Sequence, residues 1–327
     1  MYKKFFVILV ITIAAAGIPV YASTYTPAGL PLQGKIIVLD AGHGVENSPA
    51  FAGYVESVRM LALAQMTRAV LESQGATVFL TREDEFDVLT SARVSLINKW
   101  ALEAVRETRL TEFTYLPAFA RNSAHARRLM TDIAEIDEHL ELLERIIHYP
   151  GTYAHIYMNT PFDMTLTRQI HPTWQRIFEL QDDPVIRYSF LAISLHSNAA
   201  GAPINTSING ADVFFSTNCN KRNMNYFSNY SHADISYLFA DLILDGLDSL
   251  GIARREIIPH HWMIIRETNV PAVLVENGFH TNHADRALLM SNQFLSRLAQ
   301  TYTNVIEQHF AQAPHLTASS PFANGSR

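Results

Sequence analysis

One stretch near the amino-terminal end, KIIVLDAGHG at residues 35–44, limits the fold more than any other. Residues 36–39 form an uninterrupted apolar run, which is typical of a strand that is covered on both faces within a parallel sheet. The small residues that follow let the backbone turn tightly and approach a ligand. His43 is therefore predicted to lie just past the carboxyl end of a buried strand, where open α/β sheets bind their ligands.

The same pattern recurs at two other places in the chain. Residues 190–195 (FLAISL) are mainly apolar and are followed by His196, and residues 272–275 (AVLV) are followed by Glu276. Any one of these could be a strand-end polar residue that meets water. Three strand ends that carry His, His and Glu favour one shared site.

A fourth ionisable group belongs to a predicted helix. Residues 55–73 are predicted to be helical because their apolar residues recur at spacings of three and four. Glu56 lies four residues before Met60, so it falls on the apolar face in the first turn. A carboxylate there either favours the helix dipole or, if it is buried, needs a partner. A metal ion held by His43 and His196 is such a partner.

Two imidazoles and one carboxylate are the ligand set of a catalytic zinc ion whose fourth position is left for water. Zinc lowers the pKa of bound water to about 7 and polarises a carbonyl. Glu276 is then available to take the proton of the water nucleophile and pass it to a leaving amine. The residues therefore predict a Zn²⁺ hydrolase with His43, Glu56 and His196 as ligands and Glu276 as general base.

Further short motifs accompany these four residues in a fixed order. They are DAGHG at 40–44, Glu56, Thr81-Arg82, Arg93-Val94, Ile97-Asn98, SLHSNA at 194–199, Arg266, PAVLVENGF at 271–279 and Thr281-Asn282. This ordered set resembles the zinc-dependent N-acetylmuramoyl-L-alanine amidases, the type 3 cell-wall amidases. The resemblance implies that His43, Glu56 and His196 bind zinc and that Glu276 is catalytic. It also implies cleavage of the amide between the lactyl group of N-acetylmuramic acid and L-alanine in peptidoglycan.

Some positions depart from the family pattern or extend it. Val45 stands where the family usually has a glycine, and Ala92 stands where an acidic residue usually precedes Arg93. Neither change removes a predicted metal ligand.

Arg266 is predicted to follow a short strand at 263–265 and to hold a stem-peptide carboxylate, since guanidinium groups pair with carboxylates. Asn198 is a second predicted substrate-binding residue.

Two other functions fit the same residues. One is a zinc peptidase that acts on the stem peptides, and the other is a non-catalytic wall-binding regulator on the same fold. Glu276 argues against the second, because a site that no longer turns over tends to lose its base.

Alternating buried strands and amphipathic helices predict an α/β fold with a mixed, mostly parallel central sheet and helices on both faces. The catalytic domain is predicted to comprise residues 35–98 and 190–312. A linker at 23–34 precedes it, and a disordered tail at 313–327 follows it.

A helical insertion is predicted at residues 99–189, which the resemblance does not explain. Six apolar residues recur there at spacings of 4, 3, 4, 3 and 4, as in a coiled-coil seam: Leu129, Ile133, Ile136, Leu140, Leu143 and Ile147. One long helix is predicted over 118–148, ended by Pro150-Gly151 and paired with the preceding helix as an antiparallel hairpin. The insertion is either an extra packing layer or an autoinhibitory cap that an activator protein releases.

The amino-terminal residues predict export. Lys3 and Lys4 precede an apolar run at 5–16, and Val20-Tyr21-Ala22 resembles a cleavage site, so residues 1–22 are predicted to be a signal peptide. The protein is then periplasmic or on the cell surface. An uncleaved segment that anchors the chain in the membrane is the alternative.

The net charge argues against one class of partner, and the cysteine count excludes internal disulfides. The formal net charge is −6, and loss of the two lysines of residues 1–22 changes it to −8, so binding to nucleic acid phosphates is not expected. The chain has 1 cysteine, so it forms no internal disulfide and its stability must come from its core.

Overall fold

The computed structural model of the protein describes residues 29–153, 176–177, 179–180, 183–201, 203–217, 232–260 and 262–316. The predicted signal peptide, the first part of the linker and the end of the predicted tail lie outside these residues.

The centre of the molecule is a six-stranded sheet, and two further strands form a separate ribbon. The strands span Ile36–Ala41 (β1), Ala50–Phe51 (β2), Tyr54–Val55 (β3), Thr77–Leu80 (β4), Phe190–Asn198 (β5), Ala211–Phe215 (β6), Arg254–Pro259 (β7) and Ala272–Phe279 (β8). The order in the sheet is β4-β1-β5-β8-β6-β7, and β2 pairs with β3 in the ribbon. β1 pairs in parallel with β4 and β5, β5 with β8, and β6 with β7, whereas β6 and β8 are antiparallel. The predicted mixed, mostly parallel sheet is confirmed.

Helices cover both faces of this sheet. They span Glu56–Ser73 (α1), Thr90–Tyr115 (α2), Ala124–His148 (α3), Pro150–Tyr153, Pro184–Ser189, Ala233–Ser249, Met263–Arg266, His283–Met290 and Asn292–Leu316. Ile37 and Leu39 of β1 face a core that includes residues of α1, whereas Ile36 and Val38 face a core that includes residues of α2 and α3. Successive side chains of a strand point to opposite faces, so one apolar run supplies both cores.

Two local predictions are wrong. Residues 263–265, predicted as a strand, belong to the helix Met263–Arg266. An apolar run of three residues is too short for its periodicity to separate strand from helix. The last helix continues to Leu316, into the predicted tail at 313–327.

α2 and α3 form the predicted antiparallel hairpin. Polar side-chain contacts join the two helices along their length, from Lys99–Glu144 (3.0 Å) to His125–Glu112 (2.9 Å). The seam departs from a strict heptad, because Leu140 and Ile147 are only half-buried while His139 and Ile146 are buried. A straight helix of 3.6 residues per turn drifts by about 20° per heptad, which moves the buried stripe by one position.

The hairpin begins beside the carboxyl end of the parallel strands and extends past their amino-terminal end. Arg93, near the start of α2, contacts the main-chain oxygens of Ala41 and His43 just after β1. Arg109 contacts Asp183, which caps the helix that immediately precedes β5. The turn at 116–123 therefore lies beyond the amino-terminal edge of the sheet.

Two predicted boundaries shift with this packing. Trp100, Ala101 and Val105 of α2 share a buried core with residues of β1, so the predicted insertion at 99–189 starts inside the main core. Leu32 is fully buried, so the end of the predicted 23–34 linker packs against the domain. Within the ranges given above, no helix combines the length and the apolar character needed to cross a membrane.

Candidate active site

The DAGHG turn brings His43 to the carboxyl edge of the sheet in a conformation that only small neighbours allow. His43 has a φ of 58°, which is unusual for a residue other than glycine. A Cβ atom added to Gly42 would lie 2.3 Å from the ring of His196, and one added to Gly44 would lie 2.2 Å from the main chain of Asp87. Gly42 is therefore needed for the close approach of the His196 ring, and Gly44 for the close approach of the main chain at Asp87.

Two buried arginines fix the main chain of this turn. Arg82 donates to the carbonyl oxygens of Ala41 (2.8 Å) and Gly42 (3.1 Å). Arg93 donates to the carbonyl oxygens of Ala41 (2.6 Å) and His43 (2.8 Å). The carbonyl groups of a tight turn have no sheet partners, so these guanidinium groups satisfy them and hold His43 in place.

Asp40, the last polar residue before the turn, anchors Arg93. Its Oδ1 accepts hydrogen bonds from Arg93 Nη1 (2.9 Å) and from the Thr81 hydroxyl, and its Oδ2 accepts one from the Ser194 hydroxyl (2.5 Å). Burial alone would raise the pKa of Asp40, but the charge of Arg93 and the hydroxyl donors outweigh it and lower the pKa. Asp40 is therefore a buried, fully paired carboxylate.

Glu56 opens α1 and points between the two histidines. Its Oε1 lies 3.0 Å from His196 Nδ1 and 3.5 Å from His43 Nε2, and it also accepts a hydrogen bond from the Ser197 amide (3.0 Å). The imidazole centroids are 4.9 Å apart, with their planes at 79°. The three predicted ligands thus meet, with one ligand atom from each lying within 4.8 Å of the others.

The donor set suits a metal ion. Burial disfavours the charge of Glu56, but hydrogen bonds to His196 and His43 prevail and lower its pKa to about 2, so this carboxylate is ionised. Two imidazole nitrogens and one carboxylate oxygen that converge at the edge of a cavity are the protein ligands of a catalytic zinc site. The residues present therefore fit Zn²⁺.

Glu276 lies next to this group on the neighbouring strand. It is paired in register with His196 across β5 and β8, and with Asp212 across β6 and β8. Its side chain is buried, and its Oε2 has no hydrogen-bond partner among the residues that the structure describes. Burial, followed by the negative charges of Glu56 and Asp212, raises the pKa of Glu276 well above its usual value. A carboxylate in this state is suited to hold and release a proton.

A cavity of about 550 Å³ opens over these residues. Its lining includes His43, His196 and Glu276, together with residues 87–90 and residues 262–264. No described residue of α3 lines it. α3 therefore does not cover the cleft. Residues 154–175 of the predicted insertion at 99–189 lie outside the described part of the chain, and its role as a cap stays a prediction.

The two predicted substrate-binding residues are not among those that line the cavity. Arg266 is buried and its Nε donates to Glu267 (2.7 Å). The Asn198 side chain accepts from the next amide, and its carbonyl accepts from the amide of His280 (2.8 Å). Their roles in substrate binding stay predictions, and these contacts give both residues a structural task.

The sequence does not predict the role of Arg82 and Arg93, which we call the arginine frame. Both belong to the ordered motifs, but nothing in their spacing shows that they bind main-chain oxygens of the DAGHG turn. One signal lies in the sequence: Thr81-Arg82 directly follows the apolar residues of Thr77–Leu80, the strand that pairs with β1, so its polar groups reach the same edge of the sheet.

The family comparison gives an independent result. The model of the N-acetylmuramoyl-L-alanine amidase family matches residues 37–105 and 158–308, more than half of the chain. These ranges include His43, Glu56, His196 and Glu276. Residues 106–157, between the two matched segments, contain the end of α2 and the whole of α3.

Individual proteins show weaker likeness. The chain is 42% identical over 66 residues to the germination-specific N-acetylmuramoyl-L-alanine amidase of Bacillus subtilis, which covers 20% of this chain and 28% of the relative. It is 29% identical over 160 residues to the probable cell wall amidase LytH of Staphylococcus aureus, covering 43% and 54%. The chain thus spans about half or less of the length of these relatives.

A solved structure supports the fold alone. The N-acetylmuramyl-L-alanine amidase Ami1 of Mycobacterium smegmatis superposes with a TM-score of 0.50 at 14% identity. The match covers 86% of this chain and 99% of the Ami1 chain.

Proposed function

The chain belongs to the N-acetylmuramoyl-L-alanine amidase family, and on that premise we propose that it hydrolyses the amide between N-acetylmuramic acid and L-alanine in peptidoglycan with the help of Zn²⁺. The observation that carries this proposal is the convergence of His43, Glu56 and His196 beside a buried Glu276. Zinc, when bound, supplies a Lewis acid that polarises a carbonyl and makes water more acidic.

Residues of the chain bind the ion and the substrate and transfer the proton. His43, Glu56 and His196 hold the ion, and the cavity above them admits the lactyl amide. Water adds to the amide carbon, and Glu276 accepts the proton that this water loses. The carbon–nitrogen bond then breaks, and Glu276 passes the proton to the departing nitrogen of L-alanine. The products are a free lactyl carboxylate and a free amino terminus on the stem peptide.

The environment of Glu276 supports this role. Its pKa is raised, first by burial and then by Glu56 and Asp212, so the side chain holds a proton more firmly than an exposed glutamate does. A general acid–base group works best when its pKa lies near the working pH. A bound cation beside Glu56 offsets part of the negative charge and lowers the pKa of Glu276 from this raised level.

The localisation follows from the substrate. Peptidoglycan lies outside the cytoplasmic membrane, so the proposed activity requires export. The predicted signal peptide at 1–22 supplies it and places the protein in the periplasm or on the cell surface. An activator protein that docks on the α2–α3 hairpin stays a prediction, and autoinhibition by the insertion likewise.

The test is mass spectrometry of the products from purified cell wall. An amidase releases intact stem peptides with free L-alanine amino termini, whereas a zinc peptidase leaves shortened peptides on the glycan. Digestion is expected to stop after chelation and to return when zinc is added. Intact glycan-linked peptides under all conditions would contradict the proposal and favour a non-catalytic binding protein.

A further inference from the structure

The end of the α2–α3 hairpin exposes aromatic side chains to solvent. We call residues 111–131, which comprise the end of α2, the turn and the first turns of α3, the hairpin tip. Within it the Tyr115 side chain is 83% exposed and the Phe119 side chain 89% exposed. Met130, on the first turns of α3, is also exposed. Large apolar groups grouped at one exposed end of a structure indicate a contact surface.

The hairpin tip is also basic, in contrast to the chain as a whole. Arg121, Arg127 and Arg128 are exposed, and none of them forms an ion pair with an acidic side chain in the described ranges. The single acidic residue of the tip, Glu112, pairs with His125 at 2.9 Å. The formal net charge of the whole chain is −6, so this positive end is a local feature.

The position of the hairpin tip relates it to the amino-terminal segment. The turn at 116–123 lies beyond the amino-terminal edge of the sheet, as shown by the contact of Arg109 with Asp183 before β5. The chain also enters the domain at this edge, because residues 29–35 lead directly into β1. The segment that precedes them carries Lys3, Lys4 and the apolar run at 5–16, which engages the membrane during export and, in the uncleaved alternative, anchors the chain there.

From this placement we propose that the hairpin tip docks on the surface of an anionic phospholipid bilayer. Tyr115 and Phe119 enter the interfacial layer, where aromatic side chains are favoured. Arg121, Arg127 and Arg128 pair with the lipid phosphates, and each basic residue near such a surface adds to the attraction. The cavity with His43 and Glu276 lies at the opposite edge of the sheet and so faces away from the membrane.

The same features disfavour a second copy of the chain as the occupant. Two aromatic side chains and one methionine offer far less surface than the roughly 800 Å² per partner of a stable interface. A symmetric pairing of two hairpin tips would also bring six arginines together, since each copy contributes the same patch. Lipid phosphates supply the opposite charge, and a bilayer needs no matching shape.

The test measures the fluorescence of a label attached at a single position of the full chain. In a Cys219→Ser background, Phe119→Cys and Tyr149→Cys variants are each labelled with an environment-sensitive fluorophore. Tyr149 is the matched control, because it is an exposed aromatic residue at the other end of α3. Adding vesicles that contain phosphatidylglycerol is expected to shift the emission at 119 to the blue and to leave that at 149 unchanged.

Charge dependence completes the test. Phosphatidylcholine vesicles, or replacement of Arg121, Arg127 and Arg128 by glutamine, are expected to weaken the response at 119 by about tenfold or more. The proposal is overturned by no response at 119, by equal responses at 119 and 149, or by equal responses to both lipids. A response that appears without lipid on concentrating the protein would show self-association instead, and would also overturn it. Circular dichroism of each variant confirms that it is folded.

Discussion

His196 and Glu276 occupy paired positions on two adjacent parallel strands, β5 and β8. Neighbouring strands lie about 4.8 Å apart, so a predicted metal ligand and the predicted base are held by the same hydrogen-bonded frame. Each follows an apolar run that is buried on both faces of the sheet. The distance between ligand and base is thus set by the core of the domain and not by a loop.

Replacing Glu276 by Gln is expected to abolish most of the hydrolysis and to leave the metal in place. Glutamine has nearly the same shape but cannot accept the proton, and a positioned general base contributes about 10²–10⁴-fold to the rate. Product release from purified wall and the metal content of the protein are measured together. Glu46→Gln, on an exposed carboxylate near the cavity, is the matched control and should change neither. A Glu276→Gln variant with normal hydrolysis would remove Glu276 from the mechanism.

Replacing Glu56 by Gln is expected to lower the affinity for zinc. The carboxylate lies 3.0 Å from His196 Nδ1 and 3.5 Å from His43 Nε2, so its loss removes the only negative donor of the set. Zinc content after dialysis against a weak chelator and activity on purified wall should fall in parallel. Glu72→Gln, at the exposed end of the same helix, is the control. Equal zinc retention by both variants would argue against a metal site.

Replacing Arg93 by Met is expected to destabilise the fold by about 3–5 kcal/mol. The change leaves Asp40 buried without its cationic partner, and breaking a buried ion pair on one side has a cost of this size. It also removes the donors to the carbonyl groups of Ala41 and His43. The free energy of unfolding in urea is the measurement.

A surface arginine, Arg68, serves as the control that separates the loss of the buried contacts of Arg93 from the mere loss of a positive charge. Arg68 pairs with Glu72 and Glu83 on the surface, so Arg68→Met should cost no more than about 1 kcal/mol. Arg93→Lys keeps the charge but lacks the planar fork, and only part of the stability should return. An Arg93→Met variant as stable as Arg68→Met would show that the arginine frame does not support the DAGHG turn.

The sequence was sufficient to predict those strands, helices and site residues that depend on a local residue pattern. The run 36–39 is apolar on both faces, so it predicted a buried strand, and the polar group at its end predicted the position of His43. Glu56 was predictable because it extends an apolar helical stripe. Parallel strands then bring their ends together at one edge, which is why His43, His196 and Glu276 could be placed in one site from the sequence.

Features that arise from tertiary packing could not be predicted in this way. Hydrogen bonds from Arg82 and Arg93 to carbonyl oxygens leave no trace in the residue pattern, because every residue has a carbonyl. The residue pattern likewise gives no indication that Arg266 is buried against Glu267. The position of the hairpin turn beyond the far edge of the sheet follows from the direction and length of α2, which only the packing reveals.

Replacing Gly42 by Ala is expected to disturb the metal site without unfolding the protein. The added Cβ would lie 2.3 Å from the ring of His196, so the ring must leave its position beside Gly42. We expect the affinity for zinc to fall by about tenfold or more, as when the support of a ligand is lost. Competition with a colorimetric zinc chelator measures this. Gly151→Ala, where nothing lies within 4 Å of the added atom, is the control. Unchanged zinc affinity in Gly42→Ala would show that His196 is not held by this contact.

Mild acid is expected to destabilise the protein through a histidine that is remote from the site. His309 is buried between Phe239 and Phe310. Burial, and secondarily the charge of Lys35, lower its pKa to about 4. The folded state therefore keeps His309 neutral, while the unfolded chain protonates it near pH 6.5. The stability that the neutral, buried His309 gives to the fold is fully present above pH 6.5. It is lost as the pH falls from 6.5 towards 4, by about 1.4 kcal/mol of unfolding free energy per pH unit.

The His309→Leu variant cannot take up this proton, so its free energy of unfolding should fall less steeply between pH 6.5 and 5. Urea unfolding of both proteins in the presence of EDTA measures the slope and excludes protonation of metal-bound His43 and His196. His283→Gln, at an exposed histidine, is the control and should keep the slope of the parent protein. Equal slopes for His309→Leu and His283→Gln would show that His309 takes up no extra proton on unfolding, and would remove burial of this ring as a source of acid sensitivity.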